Sequence, residues 1–181
     1  MSQEFSTASE LNQDKVSLNR ALSGQLEALG NALCEKGWTV SCAESCTGGG
    51  IAYAFTSVPG SSRWFNQSWV TYSNEAKQRN LGVSHETLKN HGAVSPQTVY
   101  EMAKGVHQHS LAELVVTVSG IAGPEGGSAD KPVGTVWFGF LCNGESTQVK
   151  KVFAGDRETV RTLAIEFAVS HLIGLLTPSN T

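Results

Sequence analysis

Basic residues are scarce and scattered: 13 Lys and Arg stand against 16 Asp and Glu in 181 residues, a net charge of −3. Binding to duplex nucleic acid needs a clustered Lys/Arg surface facing the phosphates, so this balance excludes a nucleic-acid partner and favours a small ligand. Charge of either sign is low, at 16%, while 40% of the residues are apolar. That composition excludes wholesale disorder and describes a soluble globule of one domain. No apolar stretch approaches the roughly 20 residues a bilayer span needs. Residues 1–14 are polar and acidic rather than signal-like, so no membrane contact is expected and a cytoplasmic location is predicted. Paired C-x-x-C spacing is missing. The four cysteines (Cys34, Cys42, Cys46, Cys142) fall in predicted helix, strand, loop and strand, which fits reduced thiols rather than a zinc site or a disulfide framework. Neither a metal nor a cofactor is expected.

What is present is punctuation. Residues 1–15 lack periodicity and read as a flexible N-terminal arm, leaving 16–177 as a single domain. Leu18, Leu22, Leu26, Leu29 and Leu33 recur at helical spacing, with Gly37 as C-cap. Residues 38–42 predict a strand, 51–57 a helix and 68–73 a second strand, followed by a helix capped by Asn74 and carrying Lys77 in its first turn. Ser95-Pro96 opens another helix, through about residue 108. Residues 114–118 form a buried strand, 134–142 and 147–153 a hairpin about Asn143-Gly144, and Asp156 caps a final helix ending near Leu176. Alternating strands and helices followed by a hairpin predict an α/β fold: three layers, α/β/α, with a mixed, mostly parallel sheet and a C-terminal antiparallel hairpin.

Two Gly-rich loops follow strand ends, where such sheets bind ligands. The first, Ala43-Glu44-Ser45-Cys46-Thr47-Gly48-Gly49-Gly50, places a hydroxyl and a thiol beside the unpaired amides of a helix start, the place for an anion. Ser45 is a candidate nucleophile with those amides as oxyanion donors; the same serine also fits a plain N-cap. Cys46 is the rival nucleophile, its thiol expected to be acidified by the helix N-terminus. A base is needed, and none of the five histidines (His85, His91, His107, His109, His171) follows a strand end. Lys77 does, and a serine/lysine pair is an alternative to serine/histidine if a dry site keeps the amine neutral. Tyr72, five residues earlier, fits a proton relay or a strand-end aromatic. The second loop offers Ser119, Gly120, Gly123 and Gly127 and ends in Lys131-Pro132-Val133-Gly134, suited to a phosphate. Arg157 and Arg161 open the last helix, either toward that phosphate or as a solvated face with Glu158.

Six ordered blocks carry a resemblance: Ala-Glu-Ser-Cys-Thr-Gly-Gly at 43–49, Val-Thr-Tyr-Ser-Asn-Glu-Ala-Lys at 70–77, Gly-Ala-Val-Ser at 92–95, Gly-Ile-Ala-Gly-Pro at 120–124, Lys-Pro-Val-Gly at 131–134 and Gly-Asp-Arg at 155–157. Over residues 18–176 the chain resembles the CinA C-terminal domain family, whose stand-alone members are nicotinamide mononucleotide deamidases. The resemblance implies hydrolysis of the nicotinamide carboxamide to the acid with release of ammonia, with Ser45 as nucleophile, Lys77 as general base and Tyr72 as helper. Substrate contacts are expected at Cys46, Thr47, Gly48, Gly49, Asn74, Ser119, Gly120, Gly123, Lys131, Gly134 and Arg157. The resemblance also implies a homo-oligomer of at least two chains, for which the apolar surplus at Val160, Leu163, Ile165, Phe167 and Leu172 of the last helix offers a surface. Ser119 stands where the family pattern has threonine, a change that keeps the hydroxyl. A separate nucleotide hydrolase activity found with an extra N-terminal domain in longer relatives is not implied. A non-catalytic nucleotide-binding module and an amidase of another substrate are the rival readings.

Overall fold

A computed structural model describes residues 8–177, with side chains from residue 21 onward. Among them are five strands, β1 (Val40–Glu44), β2 (Phe65–Val70), β3 (Leu114–Gly120), β4 (Thr135–Cys142) and β5 (Glu145–Val152). Six α-helices surround them: α1 (Ala8–Lys36), α2 (Gly50–Thr56), α3 (Asn74–Leu81), α4 (His85–His91), α5 (Pro96–Ser110) and α6 (Arg157–Leu176). The sheet order is β2-β1-β3-β4-β5. β1 pairs in parallel with both β2 and β3, whereas β4 is antiparallel to β3 and to β5. Four strands therefore share one direction, and the expected mixed α/β sheet with a closing hairpin is what forms.

Both sheet faces are covered, which explains why β3 is an unbroken apolar run rather than an alternating one. Leu114, Val116 and Val118 join Leu26, Leu29, Leu33, Ile51, Val160 and Leu172 under α1, α2 and α6. Val115 joins Leu81, Leu88, Met102 and Val106 under α3, α4 and α5. Each fully buried Leu or Val contributes about 1.5–3 kcal/mol relative to exposure. Gly139 lets α5 lie directly on the sheet, since a Cβ there would meet the Val99 carbonyl and stand 2.7 Å from the Thr117 hydroxyl.

Local signals set most boundaries. The Ser95 hydroxyl accepts from the Thr98 amide ahead of Pro96, and Asp156 accepts from the Thr159 amide. Asn143 and Gly144 both adopt positive φ, 49° and 89°, as a two-residue hairpin turn requires. Five expectations shift, one of them the second strand, which was read over 68–73 and runs three residues earlier, Phe65–Val70, where it pairs with β1. The first strand starts at Val40 and reaches Glu44, two residues later than read, because its ladder is set by pairing with β3. The cap of α3 is Ser73, whose hydroxyl accepts from the Ala76 amide, and Asn74 is the first helical residue. α1 begins at Ala8, inside the segment read as a flexible arm: once the leucine face nucleates a helix, good helix formers such as Ala8, Glu10 and Gln13 extend it cheaply. The rest of that arm lies outside the described residues. Finally, α6 is long and apolar enough to cross a bilayer by length and composition, contrary to the reading of apolar runs. Here Val160, Ala164, Ala168, Val169, Leu172 and Leu176 are buried in the core. Phe167 packs among Phe138, Phe140 and Phe153, so much of the surplus assigned to an interface is consumed within the chain.

Candidate active site

The ends of β1, β2 and β3 converge on Ser45 and Lys77. Ser45 continues the sheet ladder by one bond, its amide donating to the Val118 carbonyl at 3.0 Å. Lys77 sits one turn into α3, where the Ser73 cap fixes the helix start, and its side chain returns to the strand ends. The ammonium donates to Thr71 O at 2.7 Å, to Ser45 Oγ at 3.1 Å and, at 3.4 Å, to the Tyr72 carbonyl. Lys77 is 1% exposed and Ser45 9%. Burial pushes the Lys77 amine down from 10.5 to about 8. About a tenth of it is then neutral at pH 7, and the neutral amine can accept the Ser45 proton.

Beneath this pair lies a residue that the sequence reading quoted but gave no role. Glu44, the last residue of β1, is fully buried. Its Oε2 accepts from Thr47 Oγ1 at 2.6 Å, Gly49 N at 3.0 Å and Ile51 N at 3.1 Å, and its Oε1 from Ala52 N at 2.9 Å. The helix-start amides expected to receive an external anion thus already hold an internal one. The set of helix-start amides free to serve as oxyanion donors contracts accordingly: Gly49 N goes to Glu44 and Gly48 N to the Ser45 carbonyl at 3.1 Å. The amides of Cys46 and Thr47 are claimed by none of these bonds. Gly48 and Gly49 turn the chain at φ 62° and 97°, a left-handed conformation that side chains rarely adopt. An acidic residue just ahead of a Gly-rich helix start was the available signal for Glu44.

Cys46 departs from expectation. Its side chain is buried in the cluster beneath α1 and α6 rather than at an open helix end, and burial pushes the thiol up to about 11. A thiol that stays protonated at neutral pH is a poor nucleophile. Cys46→Ala is therefore expected to keep ammonia release within about threefold of the parent and to cost about 1 kcal/mol of stability; steady-state assay alongside thermal melting checks both.

The other expected residues divide. The Tyr72 phenol, on a side chain 60% exposed, accepts from Arg157 Nη2 at 3.0 Å, so its backbone carbonyl rather than its hydroxyl meets Lys77. Arg157 Nη1 donates to Gly123 O at 2.9 Å, which ties the second Gly-rich loop to the end of β2. From α6, Arg161 Nη2 donates to Thr47 O at 2.9 Å and braces the nucleophile turn, a contact no sequence pattern marked. Ser119 and Gly120 close β3 beside Ser45 and pair with Trp137 and Val136. Asn74 is exposed on α3. The Lys131 ammonium donates to the His91 carbonyl at the end of α4 at 3.0 Å. Gly134 starts the return into β4, its amide donating to Ile121 O at 2.8 Å.

Layered α/β architecture with polar groups gathered at the carboxyl ends of parallel strands is the class of fold in which such sheets generally hold ligands at that edge. The family model described as CinA C-terminal domain matches residues 23–176, and the chain belongs to that family. It is 58% identical over 142 residues to the nicotinamide-nucleotide amidohydrolase PncC of Enterobacter agglomerans, covering 78% of this chain and 87% of that one. Against the protein of the same name from Escherichia coli the identity is 51%, over 81% of this chain and 89% of the relative. Among solved structures, the competence damage-inducible protein A from Klebsiella pneumoniae superposes with a TM-score of 0.82 at 38% identity, covering 84% of this chain and 95% of that one. The chain is an enzyme of this family.

Proposed function

We propose that this chain is a cytoplasmic amidohydrolase that converts nicotinamide mononucleotide to nicotinic acid mononucleotide and ammonia through a Ser45 acyl-enzyme. The observation that carries the reading is the 3.1 Å contact between Ser45 Oγ and the buried Lys77 amine, in a chain whose relatives are named for this substrate class. Neutral Lys77 takes the Ser45 proton as Oγ bonds to the carboxamide carbon. The oxygen of that carbon becomes an oxyanion, met by the amides of Cys46 and Thr47; one such donor is typically worth about 2.7–4 kcal/mol. Collapse breaks the C–N bond, and the lysine ammonium gives its proton to the departing nitrogen, which leaves as ammonia. Water, deprotonated by the same amine, then attacks the ester and frees the acid and Ser45. Arg157, which spans Tyr72 and Gly123, and Lys131 are the cations proposed to meet the nucleotide phosphate.

The test is ammonia release from nicotinamide mononucleotide, nicotinamide riboside and free nicotinamide. Turnover of the mononucleotide at least about tenfold above the riboside, measured as kcat/KM, is expected if a phosphate contact contributes 1.4 kcal/mol or more. Equal turnover of all three refutes the phosphate contact, and no release from any refutes the amidohydrolase.

A further inference from the structure

A buried carboxylate is costly unless its oxygens are satisfied, and a serine or aspartate cap would complete a short helix at lower cost. Glu44 instead occupies the interior strand position just before the nucleophile; apart from the Cys42 thiol, which donates to Oε1 at 3.8 Å, its partners come from one segment, residues 47–52, with four donors. None of those four donors is a cation. The carboxylate is thus a clamp on one turn rather than half of an ion pair. Thr47 shows the clamp closing from both sides: its hydroxyl is held by Glu44 at 2.6 Å and its carbonyl by Arg161 at 2.9 Å, while Gly48 N closes the turn onto Ser45 O. With side chain and carbonyl both held, the Thr47 Cα is fixed, which sets where its amide nitrogen lies in the turn.

We propose that Glu44 is a positioning residue for the hydrolysis: its carboxylate holds the 45–49 turn so that the Cys46 and Thr47 amides face the oxyanion formed when Ser45 attacks. The role is distinct from that of Lys77, which touches the reacting oxygen. It rests on the serine reading above.

The experiment is steady-state kinetics on the full chain with nicotinamide mononucleotide, using Thr47→Val, Thr47→Ser and Glu44→Gln. Thr47→Val removes the 2.6 Å bond at nearly constant volume. It is expected to lower kcat about tenfold with KM within about twofold, the pattern of an interaction made in the transition state. Thr47→Ser, which keeps the hydroxyl, restores most of kcat. Glu44→Gln turns an NH₂ group toward N–H donors and lowers kcat about 100-fold or more, again with little change in KM. A residue that only stabilises the fold would lower the melting temperature and leave kcat per folded molecule unchanged. If Glu44→Gln does not fold, the Thr47 pair decides. Parental kcat in folded Thr47→Val overturns the positioning role while Ser45→Ala remains inactive. An active Ser45→Ala overturns the serine reading itself, whatever the Thr47 variants do.

Discussion

Ser45→Ala is expected to reduce ammonia release from nicotinamide mononucleotide by about 10⁴-fold or more, since deleting a nucleophile in a coupled set removes most of the catalysis that set provides. Nucleotide affinity should stay within about threefold, because the groups proposed to hold the phosphate do not include the hydroxyl. Folding should be nearly untouched: Lys77 keeps its 2.7 Å bond to the Thr71 carbonyl, and only the 3.1 Å bond to Oγ is lost. Calorimetric titration with the mononucleotide beside a coupled ammonia assay makes the comparison. Turnover above about 1% of the parent would remove Ser45 as nucleophile. With Cys46 buried and its thiol raised to about 11, no neighbouring group would be left to replace it by a simple substitution of roles.

Lys77→Met separates catalysis from stability in opposite directions. With the amine at about 8, kcat/KM of the parent should climb about tenfold per pH unit below 8 and level off above it. Methionine should lower activity by about 10³-fold and abolish that limb, and arginine should not rescue it because a guanidinium does not deprotonate. Stability follows from the same burial. The folded value of about 8 lies below the 10.5 of an unfolded lysine, so the unfolded chain binds the extra proton between those pH values. Stability contributed by Lys77 therefore rises with pH through that window, and below pH 8 burial of the ammonium costs roughly 3 kcal/mol. Methionine removes that cost but leaves the Thr71 carbonyl unpaired, a loss of about 1–3 kcal/mol. The variant should match the parent to within about 2 kcal/mol at pH 7 and fall behind it near pH 10. Urea unfolding at the two pH values reads this directly. An active Lys77→Met, or one destabilised equally at both pH values, would make the lysine a packing residue.

The elements that were legible in the sequence are those whose cause is local. Ser95-Pro96, Asn143-Gly144 and Asp156 act within three residues, so their turns and caps fall where they were read. Lys77 was found by the rule that chemistry gathers at strand ends, and the fold brings it to Ser45 across 32 positions. Glu44 escaped because its partners are mostly backbone amides of an irregular turn, which leave no side-chain pattern. The Cys46 thiol was misjudged because its burial is imposed by α1 and α6, distant in sequence, while the helix-end argument sees only the neighbouring amides. The Lys131 ammonium meets the His91 carbonyl across 40 positions, a pairing that loop composition cannot specify. The Tyr72–Arg157 contact, 85 positions apart, was equally invisible.

The nucleophile and its base are carried by different strands of unequal security. Ser45 extends β1, which is bonded on both sides, whereas Lys77 follows β2, an outer strand with mostly half-exposed or exposed residues. Their alignment is therefore only as durable as the β1–β2 ladder, which already carries a register irregularity between Val40 and Cys42. Partial opening at that margin would separate oxygen from amine while the β3–β4–β5 portion stayed intact. On warming, the enzyme should fall silent before it melts.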